Sequence, residues 1–347
     1  MDNKIGKQTF LFHNRPNIIG ASAVVGAKEG KGPMKQWFDV ILDDDTYGEK
    51  TWEKSESKML KKSILLSMEK AGKEKHEIDA ILSGDLINQL MSSSFMARDM
   101  SIPFLGLYGA CSTMTESLTL GSVLIDGGYA GNVVAAASSH YCTAERQFRM
   151  PLEHGNQRPP SAQWTVTGCG SMILSAGKRE GDQLIGGKKA KNVSITHATI
   201  GKIVDAGIKD ANQMGAAMAP ATVDTLYQHL QDTSREPSFY DVILTGDLGY
   251  VGKKIMIDMM KKKGIDIASV YDDCGTLMYG ENQDTHSGGS GCGCSASIFC
   301  GRIFKEMREG AIRNALLIST GALLSTISSQ QGESIPGIAH AVAVCAE

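Results

Sequence analysis

The sequence predicts an α/β protein built from two similar βα halves, each with a mainly parallel sheet flanked by helices. Two observations support this fold class. Short apolar runs typical of buried strands alternate with segments of helical spacing along the 347 residues. Segments of the first half also recur in the second half in the same order. A hydrophobic content of 42% allows the chain to form a large core.

Three pairs of segments make up the repeat. The pairs are "IIGASAVVGAKEG" (18–30) with "VSITHATIGKIVD" (193–205), "IDAILSGDLIN" (78–88) with "YDVILTGDLGY" (240–250), and 108–139 with 290–321. Three matches in one order indicate duplication, and the predicted halves are residues 1–187 and 188–347. Their join is predicted near the glycine- and lysine-rich stretch 181–192. Two unrelated Rossmann-like domains are the alternative, but "GASAVVGAKEG" lacks the spacing of a dinucleotide fingerprint.

Each repeated segment predicts a definite element. "DAILSGDL" and "DVILTGDL" are apolar runs that end in Gly-Asp, which is typical of buried parallel strands. "TESLTLGSVLIDGG" and "SIFCGRIFKEMREG" have helical spacing and end at glycine, a common C-terminal cap. The apolar run after each of these helices predicts a return to a strand.

Charge and composition exclude several classes of function. A formal net charge of -3 argues against nucleic acid as a partner, because backbone binding needs a clustered positive surface. No segment approaches the roughly 18 apolar residues of a spanning helix, and the first 16 residues lack the apolar core of a signal peptide. We therefore expect a soluble protein whose eight cysteines are reduced. The spacing in "GCGCS" is a weak metal signal, and no metal site is expected.

Cys111 lies in the turn "GACST", where a buried strand is followed by a helix. Thr113 and Glu116 have the spacing of a capping box, so the helix is predicted to begin within a residue or two of the cysteine. The positive end of the helix dipole would then favour a thiolate. Cys111 is accordingly a candidate nucleophile or ligand contact. The alternative is a tight-turn residue that packs like alanine.

A duplicated βα unit with a cysteine opening the central helix of its first half resembles the thiolase and β-ketoacyl synthase superfamily. That resemblance implies the five-layered αβαβα thiolase-like fold, in which the cysteine takes an acyl group. "GCGCSASI" (291–298) resembles the "GNTSxASI" segment of the synthases that initiate fatty-acid chains. "WTVTGCGSMILSA" (164–176) falls where those proteins carry a glycine-rich turn into the last strand of the first half.

A closer resemblance, spread over almost the entire chain, is to the stage V sporulation protein AD family. The blocks that carry it are "GKQTF" (6–10), "GPMKQWFD" (32–39), "GDLINQ" (84–89), "GACSTMTES" (109–117), "SSHYCTAERQFRMPLEHGNQRP" (138–159), "MGAAMAPA" (214–221), "DDCG" (272–275), "GGSGCGCSA" (288–296) and "STGALLS" (319–325). The resemblance implies binding of dipicolinic acid, the pyridine dicarboxylate stored with calcium in bacterial endospores. It also implies that the protein helps to load this ligand into the developing spore. Its partners would be membrane proteins of the same operon, which places it at the periphery of the spore inner membrane.

The residues that condensing enzymes place around the cysteine are incomplete in this chain. Initiating synthases have a histidine just after the strand that corresponds to "VILTGDL", where this chain has "GYVGKK" (249–254). Their asparagine falls at Cys292, whose thiol is a weak donor. His286 lies a few residues upstream of the thiolase histidine position and leaves catalysis open. We expect a non-catalytic binder, and the alternative is an acyltransferase or β-ketoacyl synthase-like enzyme that uses Cys111 as its nucleophile.

A flat dicarboxylate needs cationic or N–H donors and an apolar slot. The helix N-terminus at Cys111 offers backbone amides, and His140 ends a strand at the edge where α/β sheets bind ligands. Arg146 and Arg149 carry guanidinium groups that match carboxylates. The structural alternatives are that His140 caps its strand and that the arginines pair with Glu145, Glu153 or a partner subunit.

Asp85 and Asp247 end the paired strands. They would repel a free dianion, but they could accept calcium or orient donors, and the alternative is that they only stabilise turns. Cys292 and Cys294 are predicted in the pocket wall by their position. The complete set of candidate ligand-binding residues is Cys111, His140, Asp85, Arg146, Arg149, Asp247, Cys292 and Cys294. The only small molecule expected is dipicolinate, either free or with calcium. No cofactor is expected.

Thiolase folds usually pair through edge strands of the first half. The resemblance therefore implies a homodimer, which would also cover an exposed sheet edge.

Overall fold

The computed structural model describes residues 3–148, 158–177, 184–185 and 188–347. Its α-helices are α1 (Trp52–Ala71), α2 (Met91–Met100), α3 (Thr113–Asp126), α4 (Tyr141–Phe148), α5 (Met214–Thr233), α6 (Gly249–Lys262), α7 (Cys274–Met278), α8 (Cys292–Ile298), α9 (Phe304–Glu309) and α10 (Thr326–Gln330). A π-helical stretch, Phe299–Ile303, joins α8 to α9. The strands are β1 (Lys4–Ile5), β2 (Thr9–Leu11), β3 (Asn17–Val25), β4 (Val40–Ile41), β5 (Ala80–Gly84), β6 (Phe104–Gly106), β7 (Asn132–Ser139), β8 (Trp164–Thr165), β9 (Gly168–Ser175), β10 (Leu184–Ile185), β11 (Lys188–Lys189), β12 (Val193–Thr199), β13 (Val242–Thr245), β14 (Tyr271–Asp273), β15 (Gly289–Ser290), β16 (Asn314–Ala322) and β17 (Gly337–Ala346).

The main sheet has the internal symmetry that the sequence repeat predicts. Its strand order is β14-β13-β16-β17-β12-β3-β9-β7-β5-β6. The two runs of five are equivalent, because β3, β5, β6, β7 and β9 occupy the places of β12, β13, β14, β16 and β17. The runs meet at one antiparallel pair, Asn17 with Ser194. Within each run the strand ended by Gly-Asp is parallel to both of its neighbours. The predicted duplication is confirmed.

The helices form three layers around the two halves of the sheet. α1 packs on β3 and β9 on the outer side of the first half, and α5 packs on the outer side of the second half on β17, the equivalent of β9, and on β16. α3 and α8 lie between the halves, since α3 contacts both β7 and β16 and α8 contacts both β9 and β16. The result is the predicted order of helix, sheet, helix, sheet and helix.

Glycines allow α8 to approach the first half closely. A Cβ on Gly170 of β9 would lie 2.3 Å from the carbonyl oxygen of Ala296 in α8. A Cβ on Gly293 of α8 would lie 2.2 Å from the carbonyl oxygen of Gly168. Larger residues would force the backbones apart, so these glycines hold the start of α8 against the strands of the first half.

The predicted join between the halves, 181–192, lies partly outside the described residues. In its described part, β10 and β11 form an antiparallel pair. No helix in the described ranges has both the length and the apolar character needed to cross a membrane.

Candidate functional site

A pocket lies against Cys111 and receives side chains from both halves. It is lined by Leu86, Tyr108, Ala110, Cys111, Ala144, Glu145, Phe148, Thr165, Met214, Ser290, Ala322 and Leu324. Its empty volume is about 460 Å³, part of which is open to solvent. A mostly apolar lining with a few polar groups is typical of small-molecule sites.

The turn before α3 presents Cys111 to this pocket. Ala110 has a φ of 49°, which is uncommon for a residue with a side chain. Hydroxyl groups hold the turn: Ser112 donates to the carbonyl of Gly109 at 2.6 Å, and Thr113 donates to the carbonyl of Ala110 at 2.7 Å. α3 begins at Thr113, as predicted. The predicted capping box is wrong, because the Thr113 hydroxyl bonds back into the turn and the N-terminal cap, Ser112, makes no side-chain capping bond.

The Cys111 thiol donates a hydrogen bond to the carboxylate of Asp247, which belongs to the second half. The same carboxylate accepts hydrogen bonds from the Thr320 hydroxyl at 2.5 Å, the Gly291 N–H at 2.8 Å and the Ser290 hydroxyl at 3.2 Å. Asp247 is completely buried. Four donors therefore converge on one buried carboxylate at the base of the pocket.

Both groups have strongly shifted acidities. Burial raises the pKa of Asp247 to about 6. Burial, followed by the charge of Asp247, raises the pKa of the Cys111 thiol well above its ordinary value. The sequence predicted a thiolate, and that prediction is wrong because desolvation at 6% exposure and a neighbouring carboxylate outweigh the helix dipole. Cys111 is a neutral thiol at neutral pH.

Histidines of the described residues make their hydrogen bonds away from Cys111. His286, which the sequence left open as a catalytic group, has Nδ1 at 2.9 Å from the carbonyl of Pro159 and Nε2 at 3.1 Å from Asp284. His154 lies outside the described residues. From the described part of the second half, it is a carboxylate rather than an imidazole that hydrogen bonds to the sulfur.

His140 ends β7 as predicted but does not line the pocket. Its Nδ1 accepts the N–H of Cys142 at 3.2 Å, so Nε2 carries the proton and donates to the carbonyl of Asp45 at 2.8 Å. Burial lowers the pKa of the ring, which favours this neutral form. His140 therefore holds the 43–47 loop against the end of β7. This agrees with the alternative expectation that His140 caps its strand rather than binding a ligand.

Asp85 also lies outside the pocket lining. One carboxylate oxygen accepts the N–H of Ile87 at 3.0 Å, and the other accepts the N–H of Ser93 at 2.8 Å. The carboxylate thus stabilises the turn that leads into α2. Asp85 and Asp247 occupy equivalent "GDL" turns, but only Asp247 of this pair hydrogen bonds to the cysteine of the other half.

Cys292 and Cys294 are completely buried at the start of α8 and do not line the pocket. The Cys292 thiol donates to the carbonyl of Ser138 at 2.8 Å. The two side chains therefore pack beneath the site rather than in its wall, because α8 lies so close to β7 and β9.

Arg146 points away from the pocket. Its guanidinium pairs with Glu53 and lies 5.7 Å from the centre of the Trp52 ring. Arg149 and Glu153 lie outside the described residues. The neighbouring residue Glu145, named from the sequence only as an arginine partner, is the charged side chain of α4 that lines the pocket.

Several lining residues escaped the sequence analysis. Tyr108 lies beside Cys111 in "LYGACST", and burial raises the pKa of its phenol to about 12, so the hydroxyl remains a donor. Thr165 and Ser290 lie within quoted motifs and supply hydroxyls. The apolar wall comes from Leu86, Phe148, Met214 and Leu324, which lie in four separate quoted blocks and were not singled out as site residues.

The described residues contain no group of three or more histidine, cysteine or acidic side chains placed to hold a metal ion.

Comparisons with known proteins extend along nearly the whole chain. The family described as stage V sporulation protein AD matches residues 6–345. The stage V sporulation protein AD of Bacillus subtilis (strain 168) is 43% identical over 337 residues, which cover 97% of this chain and 96% of that protein.

Solved structures of low sequence identity share the fold. Cerulenin-bound OleA of Xanthomonas campestris has a TM-score of 0.60 at 10% identity, covering 96% of this chain and 97% of its own. The human mitochondrial 3-ketoacyl-CoA thiolase in complex with CoA has a TM-score of 0.56 at 11% identity, covering 96% and 98%. The 3-oxoacyl-[acyl-carrier-protein] synthase III of Aquifex aeolicus has a TM-score of 0.54 at 12% identity, covering 95% and 99%. The chain has the thiolase-like fold that its sequence predicts and belongs to the stage V sporulation protein AD family.

Proposed function

We propose that the protein binds dipicolinic acid as its calcium chelate in the Cys111 pocket and helps to load it into the developing endospore, without acyl transfer. Membership of a sporulation family supports the cellular context. The observation that carries the proposal is an apolar pocket whose cysteine is kept as a neutral thiol by burial and by the neighbouring Asp247 carboxylate. Membrane proteins of the same operon are the proposed partners at the spore inner membrane.

The charge of the pocket favours the chelate over the free dianion. Among the described lining residues, Glu145 is acidic and none is lysine, arginine or histidine. The buried Asp247 carboxylate lies directly behind Cys111. A doubly negative ligand would be repelled by the buried Asp247 carboxylate, whereas a calcium chelate has no net charge and brings its own metal ligands.

The remaining lining suits a planar aromatic ligand. Tyr108, Thr165 and Ser290 supply hydroxyl groups to the pocket wall. Leu86, Phe148 and the other apolar side chains provide the surface against which a ring can pack.

Acyl transfer requires a nucleophilic sulfur and a group that stabilises the developing negative charge. Here the sulfur is protonated at neutral pH, and its partner from the second half is an acceptor rather than a donor. A carboxylate in that place would repel an oxyanion or an enolate. The arrangement is therefore better suited to binding than to condensation.

Isothermal titration calorimetry tests the proposal. We expect a saturable heat when the purified protein is titrated with dipicolinate and equimolar calcium, and at least tenfold weaker binding of dipicolinate in the presence of EDTA. Calcium alone is the control. Absence of heat with the chelate at millimolar concentration would refute the proposed ligand.

An active acyltransferase is the second candidate. The observation that favours it is a cysteine at a helix N-terminus, on a strained turn, that faces an apolar pocket. Incubation with a panel of acyl-CoAs, followed by intact mass spectrometry, distinguishes an acyltransferase from a non-catalytic binder. We expect no adduct; a Cys111-dependent adduct that turns over would favour the enzyme.

The free edge of the first half supports the proposed homodimer. In the described residues β6 pairs only with β5, and Leu105 on β6 is 49% exposed. Phe95 on the neighbouring α2 is 45% exposed. We expect Leu105→Lys to shift the protein from dimer to monomer in multi-angle light scattering, because a charge at the edge opposes pairing.

The matched control for the interface is Ile203→Lys, since Ile203 is 63% exposed on a different surface. It should leave the dimer intact. A monomeric wild-type protein, or a dimer unaffected by Leu105→Lys, would contradict this interface.

A further inference from the structure

A second cavity, separate from the Cys111 pocket, is lined by basic side chains. Arg15, His197, Arg235 and Asn314 contribute to its wall together with the end of β17. Its empty volume is about 450 Å³, and none of its lining residues lines the Cys111 pocket. It lies where β2, β12, β16 and β17 come together.

His197 places an unpartnered nitrogen in this cavity. The Thr196 hydroxyl donates to the carbonyl of Ala343 at 3.2 Å, so its oxygen accepts from Nδ1–H of His197 at 2.9 Å. The proton of the neutral ring is thus on Nδ1, and Nε2 has no hydrogen-bond partner among the described residues. The side chain is 92% buried, at 8% exposure. Nε2 of this largely buried ring therefore offers a hydrogen-bonding group to a molecule in the cavity.

A buried chain of hydrogen bonds ends at this cavity and has only one possible direction. At its far end the Thr9 hydroxyl donates to Asp232 at 2.9 Å. Thr9 therefore accepts from the Thr199 hydroxyl at 2.9 Å, and Thr199 accepts from Nδ1–H of His229 at 2.7 Å. His229 is neutral, since burial lowers its pKa to about 3.

The near end of the chain positions Arg235. Because Nδ1 of His229 carries the proton, Nε2 accepts from the Tyr240 hydroxyl at 2.6 Å. The tyrosine oxygen then accepts from Nη1 of Arg235 at 3.0 Å. The guanidinium also lies 4.2 Å from the centre of the Phe239 ring. It is held in one orientation, and its other N–H groups make no hydrogen bond to the described residues.

Arg15 provides the second guanidinium. It pairs with Glu347 at 2.6 Å, but the two side chains are 52% and 56% exposed. Exposed pairs of this kind contribute little to stability, so an anion can displace the Glu347 carboxylate at small cost. Burial and the two guanidinium charges lower the pKa of His197 to about 4. The two guanidinium groups in this cavity carry more positive charge than the single side-chain carboxylate of Glu347 can neutralise.

We propose that this cavity binds a small oxyanion, a carboxylate or a phosphate, between Arg15, Arg235 and His197. The guanidinium of Arg235 offers two parallel N–H donors, and Arg15 supplies the second charge. On binding, the negative charge of the oxyanion raises the pKa of His197, so the ring takes up a proton at Nε2 at a higher pH than in the free protein and donates it in a third hydrogen bond. The site does not depend on the function proposed for Cys111.

Histidine-detected NMR of the full chain tests this inference, with His197 assigned by His197→Gln. Inorganic phosphate, acetate and dipicolinate are titrated separately against sodium chloride of equal ionic strength. We expect saturable shifts of the His197 ring with phosphate or with a carboxylate, and an imidazole pKa that rises from about 4 toward its ordinary 6.5. A response to phosphate alone would identify the bound oxyanion as a phosphate, and a response to acetate alone would identify it as a carboxylate.

Two variants keep the test falsifiable. Arg15→Gln, which leaves the buried chain intact, and Arg235→Gln should each weaken binding at least tenfold. Arg98→Gln is the matched control, since Arg98 lies 4.7 Å from the Phe95 ring and pairs with an exposed carboxylate elsewhere. No saturable shift in the wild type, or binding unchanged in both cavity variants, would overturn the site.

Discussion

Replacing Asp247 by asparagine is expected to raise the rate at which iodoacetamide alkylates Cys111 at pH 7.5 by about tenfold or more, because one pKa unit is a tenfold change in thiolate. In the wild type the thiol donates to a buried carboxylate, and that negative charge opposes formation of a thiolate. Asparagine has a similar shape and can still accept the Gly291 N–H. It removes the charge and can offer the sulfur an N–H donor.

Mass spectrometry of the Cys111 peptide measures this rate separately from the other seven cysteines. Asp85→Asn is the matched control, because Asp85 occupies the equivalent turn and its carboxylate accepts the backbone N–H groups of Ile87 and Ser93 in its own half. It should leave the rate within about twofold of the wild type. Slower alkylation in Asp247→Asn would show that the carboxylate activates the cysteine, against the assignment of a neutral thiol.

Replacing Glu56 by glutamine is expected to stabilise the protein by about 1–2 kcal/mol at pH 8.5. Glu56 on α1 is 1% exposed, and burial followed by the Asp85 carboxylate raises its pKa to about 8. The Thr143 hydroxyl lies 3.0 Å from both Oε2 of Glu56 and the carbonyl of His140, and it has one proton to give. If Glu56 is protonated, its carboxyl O–H donates to the Thr143 hydroxyl, and Thr143 can then donate its own proton to the carbonyl of His140. Glutamine keeps that donor without titrating.

The pH dependence follows from the direction of these shifts. A carboxyl group whose pKa is higher in the folded state than in the unfolded state favours folding while it is protonated and loses that advantage as pH rises. Three buried carboxyl groups have pKa values raised in this way: about 8 for Glu56, about 7 for Glu29 and about 6 for Asp247. Buried histidines act in the opposite direction below about pH 6.5, since burial lowers the pKa of His197 and His340 to about 4 and that of His229 to about 3. The free energy of unfolding is therefore expected to fall between pH 7 and pH 8.5.

Urea unfolding across this pH range checks the prediction, and Glu56→Gln should flatten the curve. Glu69→Gln, at an exposed position on the same helix, is the control and should follow the wild type. A wild-type free energy that rises with pH, or a Glu56→Gln curve parallel to it, would contradict the assignment of a protonated Glu56.

The architecture could be predicted from the sequence because its signals are local and occur twice. Apolar runs ended by Gly-Asp mark β5 and β13, and glycines mark the ends of α3 and α9. The thiol partner could not be predicted in the same way. "SGDL" and "TGDL" are nearly identical, yet Asp85 bonds to its own turn while Asp247 reaches Cys111, and only the packing of the two halves decides between them.

Two candidate residues show how tertiary contacts override position. His140 ends a strand at the expected edge of the sheet, but the loop that carries Asp45 packs over its ring, and the carbonyl of Asp45 accepts the Nε2–H of His140. Cys292 opens α8 as the motif suggests, but glycine-dependent packing buries its thiol against Ser138. Desolvation of Cys111 is likewise a property of the assembled pocket and has no local signal.

The claim that the ligand occupies the pocket at Cys111 can be tested with one pair of neighbouring substitutions. Leu324 and Leu323 are both half-buried, but only Leu324 of the two lines the pocket. Tryptophan at 324 would fill the space against the cysteine. Tryptophan at 323 adds the same bulk next to it, outside the lining.

Calorimetric titration of the calcium–dipicolinate complex into the wild type, Leu324→Trp and Leu323→Trp is the direct measurement. We predict that the wild type and Leu323→Trp bind with similar affinity and that Leu324→Trp binds at least tenfold more weakly while remaining folded by circular dichroism. Equal affinity in all three proteins would place the ligand elsewhere and contradict the account.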